Sequence, residues 1–131
     1  MLNKTSLQTV KALIELARLP RGQWEGAASI AKKIRAPQNY LSKVLQWLCS
    51  KKIVESQKGF GGGFRLARDA RKISLFDVVE PIEKVSRWGG CFLGKRKCSD
   101  TAPCSAHHEW SGVREKYLEF LKITTLADLL D

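Results

Sequence analysis

From Gln38 to Lys52 the chain reads QNYLSKVLQWLCSKK. Leu41, Val44, Leu45 and Leu48 recur at three- and four-residue steps, the pattern of a helix that buries one face. Asn39, Ser42, Lys43 and Gln46 fall largely on the opposite face. Just upstream, Ser29–Ile34 predicts a short second helix with Ser29 or a neighbour as its cap. That helix stops at Ala36, because Pro37 disfavours helical geometry in the residue before it. Two helices joined by a tight turn, the second polar outside, predict a helix-turn-helix. In that motif the N-terminal residues of the second helix meet base edges in the major groove of double-stranded DNA. The plainer reading of such a stripe is the wet side of a surface helix.

The segment after Lys52 favours the groove reading. Ile53–Gln57 reads as a strand and Phe64–Ala67 as its returning partner. Between them, Lys58-Gly59-Phe60-Gly61-Gly62-Gly63 has the glycine density of a hairpin that needs positive φ or close backbone approach. A hairpin directly after a recognition helix is the wing of a winged helix. Lys58, Arg65 and Arg68 flank it, suited to phosphates or a narrow minor groove. The candidate DNA-contacting residues are therefore Gln38, Asn39, Tyr40, Ser42 and Lys43 on the helix, with Lys58, Gly61, Gly62 and Arg65 on the wing. The triple glycine is not read as a nucleotide loop, since no Lys-Ser/Thr comes after it and no helix begins there.

Further out, Leu7, Val10, Leu13, Ile14 and Ala17 predict an amphipathic helix ending before Pro20-Arg21-Gly22. Ser74 and Asp77 match a capping box opening a helix through Leu75, Phe76, Val78, Val79 and Ile82. Pro81 should kink that helix or delay its start. From about His107, Trp110, Val113, Tyr117, Phe120 and Leu121 define another long helix. Ile123, Leu126, Leu129 and Leu130 carry the apolar content onward. A small monomer has little against which to bury so many large side chains, so this helix is expected at a homodimer interface. Packing back onto the wing domain is the alternative.

The chain's 131 residues fit one compact domain, and 44% apolar with 27% charged residues describes a foldable protein. The formal charge is +10. Residues 1–72 hold 15 Lys/Arg against 4 Asp/Glu, and residues 73–131 hold 8 against 9. Positive charge confined to one half is what counterion displacement from phosphate requires. The first residues do not read as a signal peptide, and no apolar run approaches the ~18–20 residues that span a bilayer. A cytoplasmic location, with no membrane partner, is expected. In that reducing setting four cysteines read as ligands or redox sensors rather than disulfides.

Three of them stand in CFLGKRKCSDTAPCSAH, where Cys91, Cys98, Cys104 and His107 succeed one another at offsets of seven, six and three. Thiolates and imidazole are soft or borderline ligands, and four in one loop can enclose a transition metal. Structural zinc accepts the same donors, although its sites favour tighter CxxC knuckles. A metal-free thiol switch among the three cysteines is the other alternative. Lys95-Arg96-Lys97 could offset cluster charge or be an ordinary solvated turn. His108 points about 100° away from His107 on a helix, so the two do not both serve one centre. Cys49, among apolar neighbours, reads as a small core residue. No nucleophile–base–acid arrangement is evident, so no enzyme is expected. An iron–sulfur carrier docking an acidic protein is the competing class.

Taken together these segments resemble the bacterial winged-helix regulators typified by IscR, NsrR and RirA. The resemblance runs nearly end to end. It rests on Ile30-Ala31 with Pro37–Leu45, on Lys58–Leu66, on Ile73–Val79, and on the cysteine triplet with His107 and Trp110 beyond it. It implies that Cys91, Cys98 and Cys104 bind an iron–sulfur cluster whose state controls DNA affinity. Members lacking the histidine take a carboxylate from the partner's N-terminal helix. Ser6-Leu7-Gln8-Thr9 offers none, which favours His107, and a histidine ligand favours [2Fe–2S] over [4Fe–4S]. The resemblance implies a homodimeric regulator, expected to repress, on a pseudo-palindromic operator. It would sense cluster supply, iron, nitric oxide or redox status.

The expected architecture is mainly α with a small β-hairpin wing. Residues 1–72 form the winged helix-turn-helix, 73–90 a connecting helix and 91–107 the cluster loop. Residues 108–131 form the dimerisation helix and C-terminal segment.

Overall fold

A computed structural model of the chain describes residues 2–86 and 106–130. Helix α1 spans Lys4–Ala17, and its first amides are capped by the Asn3 side chain, which accepts from the Ser6 N–H at 2.8 Å. Its inward face is Ser6, Thr9, Val10, Ala12, Leu13 and Leu16. The face is therefore rotated from the expected one. Leu7 is 44% exposed, while Leu16 is buried. Two buried hydroxyls flank the start of that stripe. Thr9 donates to the Thr5 carbonyl at 2.7 Å, so an apolar count alone mislocates the face.

Helix α2 (Ala27–Ile34) starts two residues earlier than expected, with Gly26 at its N-cap and no side-chain cap. Ser29 is not the cap; its hydroxyl instead donates to Glu25 Oε2 at 2.7 Å. The helix closes with Arg35 in the left-handed region, φ 57°, just ahead of Pro37. Helix α3 (Gln38–Ser50) buries Leu41, Leu45 and Leu48, as its periodicity predicts. Val44 and Cys49 pack against the core from its edges, in keeping with Cys49 as a packing residue.

Strands β1 (Val54–Gln57) and β2 (Gly63–Leu66) form the antiparallel hairpin, with Glu55 opposite Arg65 and Ser56 opposite Phe64. Each begins one residue away from its expected start. A third extended position joins this sheet. Glu25 bridges Phe64, so the chain between α1 and α2 contributes the sheet's other edge. This contact explains one glycine outright. Gly63 has φ +138°, and a Cβ there would lie 2.5–2.7 Å from the backbone of Glu25 and Gly26.

Helix α4 (Leu75–Glu83) opens on the predicted capping box. Asp77 N–H donates to Ser74 Oγ and Ser74 N–H to Asp77 Oδ2, both at 3.0 Å. Pro81 does not delay its start. The helix ends two residues beyond it, with Lys84 at φ 52°. Helix α5 (His107–Ile123) then runs back along α4. Beyond it the chain crosses Ile73–Leu75 in a short antiparallel bridge. Leu75 N–H donates to the Thr124 carbonyl and Leu126 N–H to the Ile73 carbonyl, at 2.8 and 2.9 Å.

That bridge decides where the C-terminal segment packs. Leu121 and Leu126 are 1% and 0% exposed and belong to the same core as Leu13, Leu45, Val54 and Val78. The reserve of apolar residues is therefore split. Part of it completes the winged-helix core, while Val113, Phe120 and Ile123 stay exposed on α5. The result is mainly helical with a two-stranded wing, as the sequence predicts.

Candidate nucleic-acid interface and cysteine–histidine site

Burying Leu41, Leu45 and Leu48 fixes which side of α3 faces water. Gln38, Asn39, Lys43 and Gln46 are exposed there, with Tyr40 and Ser42 half-buried beside them. The N-terminus of α3 has no side-chain cap and no acidic residue in its first turn. Its first amides and the positive end of its dipole are thus left to an outside acceptor.

The wing begins directly after α3. Lys58 and Gly61 are exposed at its tip, and Gly62 and Arg65 are half-buried. The tip glycines shape the turn. Gly59 and Gly61 have φ +92° and +77°, and a Cβ on Gly62 would meet the Gln57 carbonyl oxygen at 2.2 Å.

Arg65 is already engaged. Its Nε donates to Glu55 Oε1 across the hairpin, and its guanidinium stacks 4.0 Å from the Trp24 ring centroid. It braces the wing against the body, leaving its terminal nitrogens as the part that can reach a phosphate. Arg68 lies beyond β2, at the base of the wing rather than its tip.

Two features escape sequence reasoning. Phe60 stands wholly exposed at the wing tip, among the largest exposed apolar side chains on the described residues. The available signal is its position between Gly59 and Gly61, where a hairpin tip offers nothing to bury it. The second is a polar brace behind the wing. Glu25, 7% exposed, takes Ser29 Oγ at 2.7 Å and pairs with Lys33 at 2.6 Å. The carboxylate hydrogen bond is the main cause that raises the Lys33 pKa. Trp24-Glu25 between Gly22 and Gly26 is the readable hint of an extended edge.

Cys91, Cys98, Cys104 and the Lys95-Arg96-Lys97 run lie outside the described residues. His107 lies inside them, at the first position of α5, and is 5% exposed. His108 next to it is exposed, its ring centroid 5.2 Å away at 74°. The two imidazoles diverge as helical geometry requires, and the buried one is His107, the histidine that the family resemblance implies. Three thiolates and one imidazole suit either an iron–sulfur cluster or zinc. Among the described residues no group of histidine, cysteine and carboxylate gathers to hold a metal. No described helix is long and apolar enough to cross a membrane.

A recognition helix joined to a braced wing defines the class: DNA-binding transcriptional regulators of the winged-helix type. Similarity to known proteins narrows the class further. A family described as the Rrf2 iron-dependent transcriptional regulators matches residues 2–131, and the chain belongs to that family. A relative from Aquifex aeolicus (strain VF5), assigned by name to the HTH-type transcriptional regulators, is 36% identical over 124 residues. That match covers 92% of this chain and 86% of the relative.

Among solved structures, CymR (YrzC), the global cysteine regulator of B. subtilis, superposes with a TM-score of 0.81 at 22% identity. It covers 98% of this chain and 95% of that one. T. potens IscR superposes at 0.78 with 23% identity, over 98% and 85% of the two chains. At such identities these neighbours establish the fold. Family and relative alike are regulators, not enzymes.

Proposed function

We propose that the chain is a homodimeric, cluster-responsive repressor that reads a pseudo-palindromic operator. Gln38, Asn39, Tyr40, Ser42 and Lys43 approach base edges and flanking phosphates in the major groove. Lys58, Gly61, Gly62 and the terminal nitrogens of Arg65 set the wing on the adjacent backbone. The observation carrying this reading is the uncapped, acid-free start of α3, together with an exposed Lys58 on a braced hairpin. Paired heads would then address half-sites about one helical turn apart, ~34 Å or a multiple of it.

The dimer would form along α5, where Val113, Phe120 and Ile123 remain exposed at 61%, 49% and 67%. At 100° per residue these three fall within roughly an 80° arc, one continuous stripe. A monomer gains nothing by presenting it, whereas a second copy of the same stripe buries it.

Cys91, Cys98, Cys104 and His107 would hold the cofactor, [2Fe–2S] in preference to [4Fe–4S], with zinc as the alternative. Burial of His107 at the N-terminus of the proposed dimer helix supports the assignment, because it ties the ligand loop to α5. When bound, an iron–sulfur cluster supplies a centre that responds to redox state, iron supply or nitric oxide. The residues of this chain do the rest. As a ligand His107 would join the cofactor to α5, and the segment after α5 is bridged to Ile73–Leu75 just beyond the wing. A change at the loop is thereby able to bias the placement of the two reading heads.

Purification without oxygen tests the reading. Iron and acid-labile sulfide should be recovered with the wild type and lost on Cys98→Ala. Holo and apo protein should differ in operator affinity. A colourless sample carrying zinc alone would replace the cluster with a structural metal.

A further inference from the structure

The C-terminal end of α1, the base of the wing and the C-terminal segment enclose a cleft of about 970 Å³. That volume lies in the range of small-molecule sites. Leu16, Leu19, Leu66 and Leu130 contribute an apolar lining. Four guanidiniums also line it, from Arg21, Arg65, Arg68 and Arg71, against two carboxylates, Glu55 and Asp69.

The carboxylates are both spoken for. Glu55 pairs with Arg65, and Asp69 holds Arg71 through contacts of 2.9 and 3.2 Å. The Arg71 hydrogen bonds push the Asp69 carboxyl down to about 2, so that pair stays charged at any physiological pH. Arg21 and Arg68 are exposed and make no ion pair among the described residues. Two uncompensated guanidiniums beside an apolar lining match a dianion that carries a hydrocarbon body. The guanidinium fork favours phosphate, which it meets with two parallel hydrogen bonds.

We propose that this cleft binds a small organic phosphate and acts as an effector site at the base of the wing, sharing only Arg65 with the residues assigned to DNA reading. No residue of α3 and none of Lys58–Gly62 lines it. Its walls nevertheless include wing residues (Glu55, Arg65, Leu66) and C-terminal residues (Ala127, Leu130). A ligand bridging the two fixes the wing relative to the segment that carries α5. Operator and ligand must then alter each other's affinity by the same factor.

Calorimetric titration of the full chain with hexyl phosphate tests the site without reference to DNA. Hexyl phosphate should bind about tenfold or more tightly than inorganic phosphate or hexanol, because only it engages both rim and lining. The double variant Arg21→Ala/Arg68→Ala should weaken it about tenfold, and the charge reversal Arg21→Glu should do the same. Both should keep the wild-type melting temperature, since neither arginine is buried or paired.

Equal affinity for hexyl phosphate and inorganic phosphate would overturn the proposal, as would binding that survives both variants. Displacement of hexyl phosphate by any short duplex, one molecule for one site, would reassign the cleft to backbone phosphate and overturn it as well. In a second measurement, saturating hexyl phosphate should shift operator affinity several-fold. A shift below twofold would refute the effector role, while failure to bind any operator would strike the reading proposed above and leave the calorimetric result standing.

Discussion

Glu25 and Phe64 exchange both of their backbone hydrogen bonds, N–H to O at 2.9 and 2.8 Å. The residue between Phe64 and the wing tip, Gly63, lies against this pair so closely that no side chain fits. Gly63→Ala should therefore cost about 2–3 kcal/mol or more, from its positive φ and from backbone atoms that cannot give way. Gly61→Ala, also at positive φ but with open space around its Cβ position, should cost only about 1 kcal/mol. Urea unfolding of the two variants side by side measures the difference, and equal losses would show that the Glu25 edge does not hold the wing.

Lys43 and Lys58 are exposed on the two parts of the assigned reading surface. Each Lys→Ala change should lower operator affinity and reduce the slope of log affinity against log salt by roughly 0.9. Fluorescence anisotropy at several salt concentrations reads both. If the double variant bound as the wild type does, the reading surface would lie elsewhere.

Phe60 has nothing to pack against in the folded monomer. Phe60→Ser should leave thermal stability within about 0.5 kcal/mol, the usual range for an exposed site. Operator affinity should still fall several-fold, because an apolar tip can wedge against a deformable minor-groove step. The salt slope should stay unchanged, which separates loss of an apolar contact from loss of a charge. An unaltered affinity would make Phe60 an idle surface residue.

Ile123, the most exposed member of the α5 stripe, should govern self-association. Ile123→Glu should convert the proposed dimer to a monomer in sedimentation velocity and weaken operator binding, since each half-site would be bound alone. A variant that remained dimeric would place the interface on another surface.

Asp69 caps the short 3₁₀ turn Ala70–Lys72 that leaves the wing, its side chain accepting from the Arg71 N–H. Its carboxyl is held at about 2, below the ordinary 3.8, chiefly by the Arg71 side chain and next by the Arg71 amide. A depressed carboxyl contributes stability that is complete above the unfolded value. That contribution is lost as pH falls from about 4 towards 2. Melting temperatures across this window should fall less steeply in Asp69→Asn than in the wild type, so that the two curves keep a constant gap above about pH 4 and converge as pH falls towards 2. Parallel curves would mean that the pair adds nothing to folding.

Local pattern makes much of this legible. The α3 periodicity, the Ser74–Asp77 box and the glycine-dense hairpin each specify their geometry within a few residues, so their elements stand where the sequence places them. The α1 face is misread by apolar periodicity because buried Ser6 and Thr9 satisfy the helix's geometry without being apolar. Arg65 reads as a free phosphate contact in the sequence because its two partners, Glu55 and Trp24, are remote from it along the chain or across a turn.

The sequence by itself determined the winged-helix class, the polar face of α3, the basic N-terminal half and the Cys91–His107 donor spacing. These come from periodicities, caps and ligand chemistry that act over a few residues or within one loop. Only the tertiary structure decided that Glu25 completes the wing sheet and that Leu126 returns to the core beside Ile73. It also divided α5 into a buried edge and an exposed stripe. Those outcomes depend on which distant backbone edges meet. A chain discloses its own edges, but only packing selects their partners.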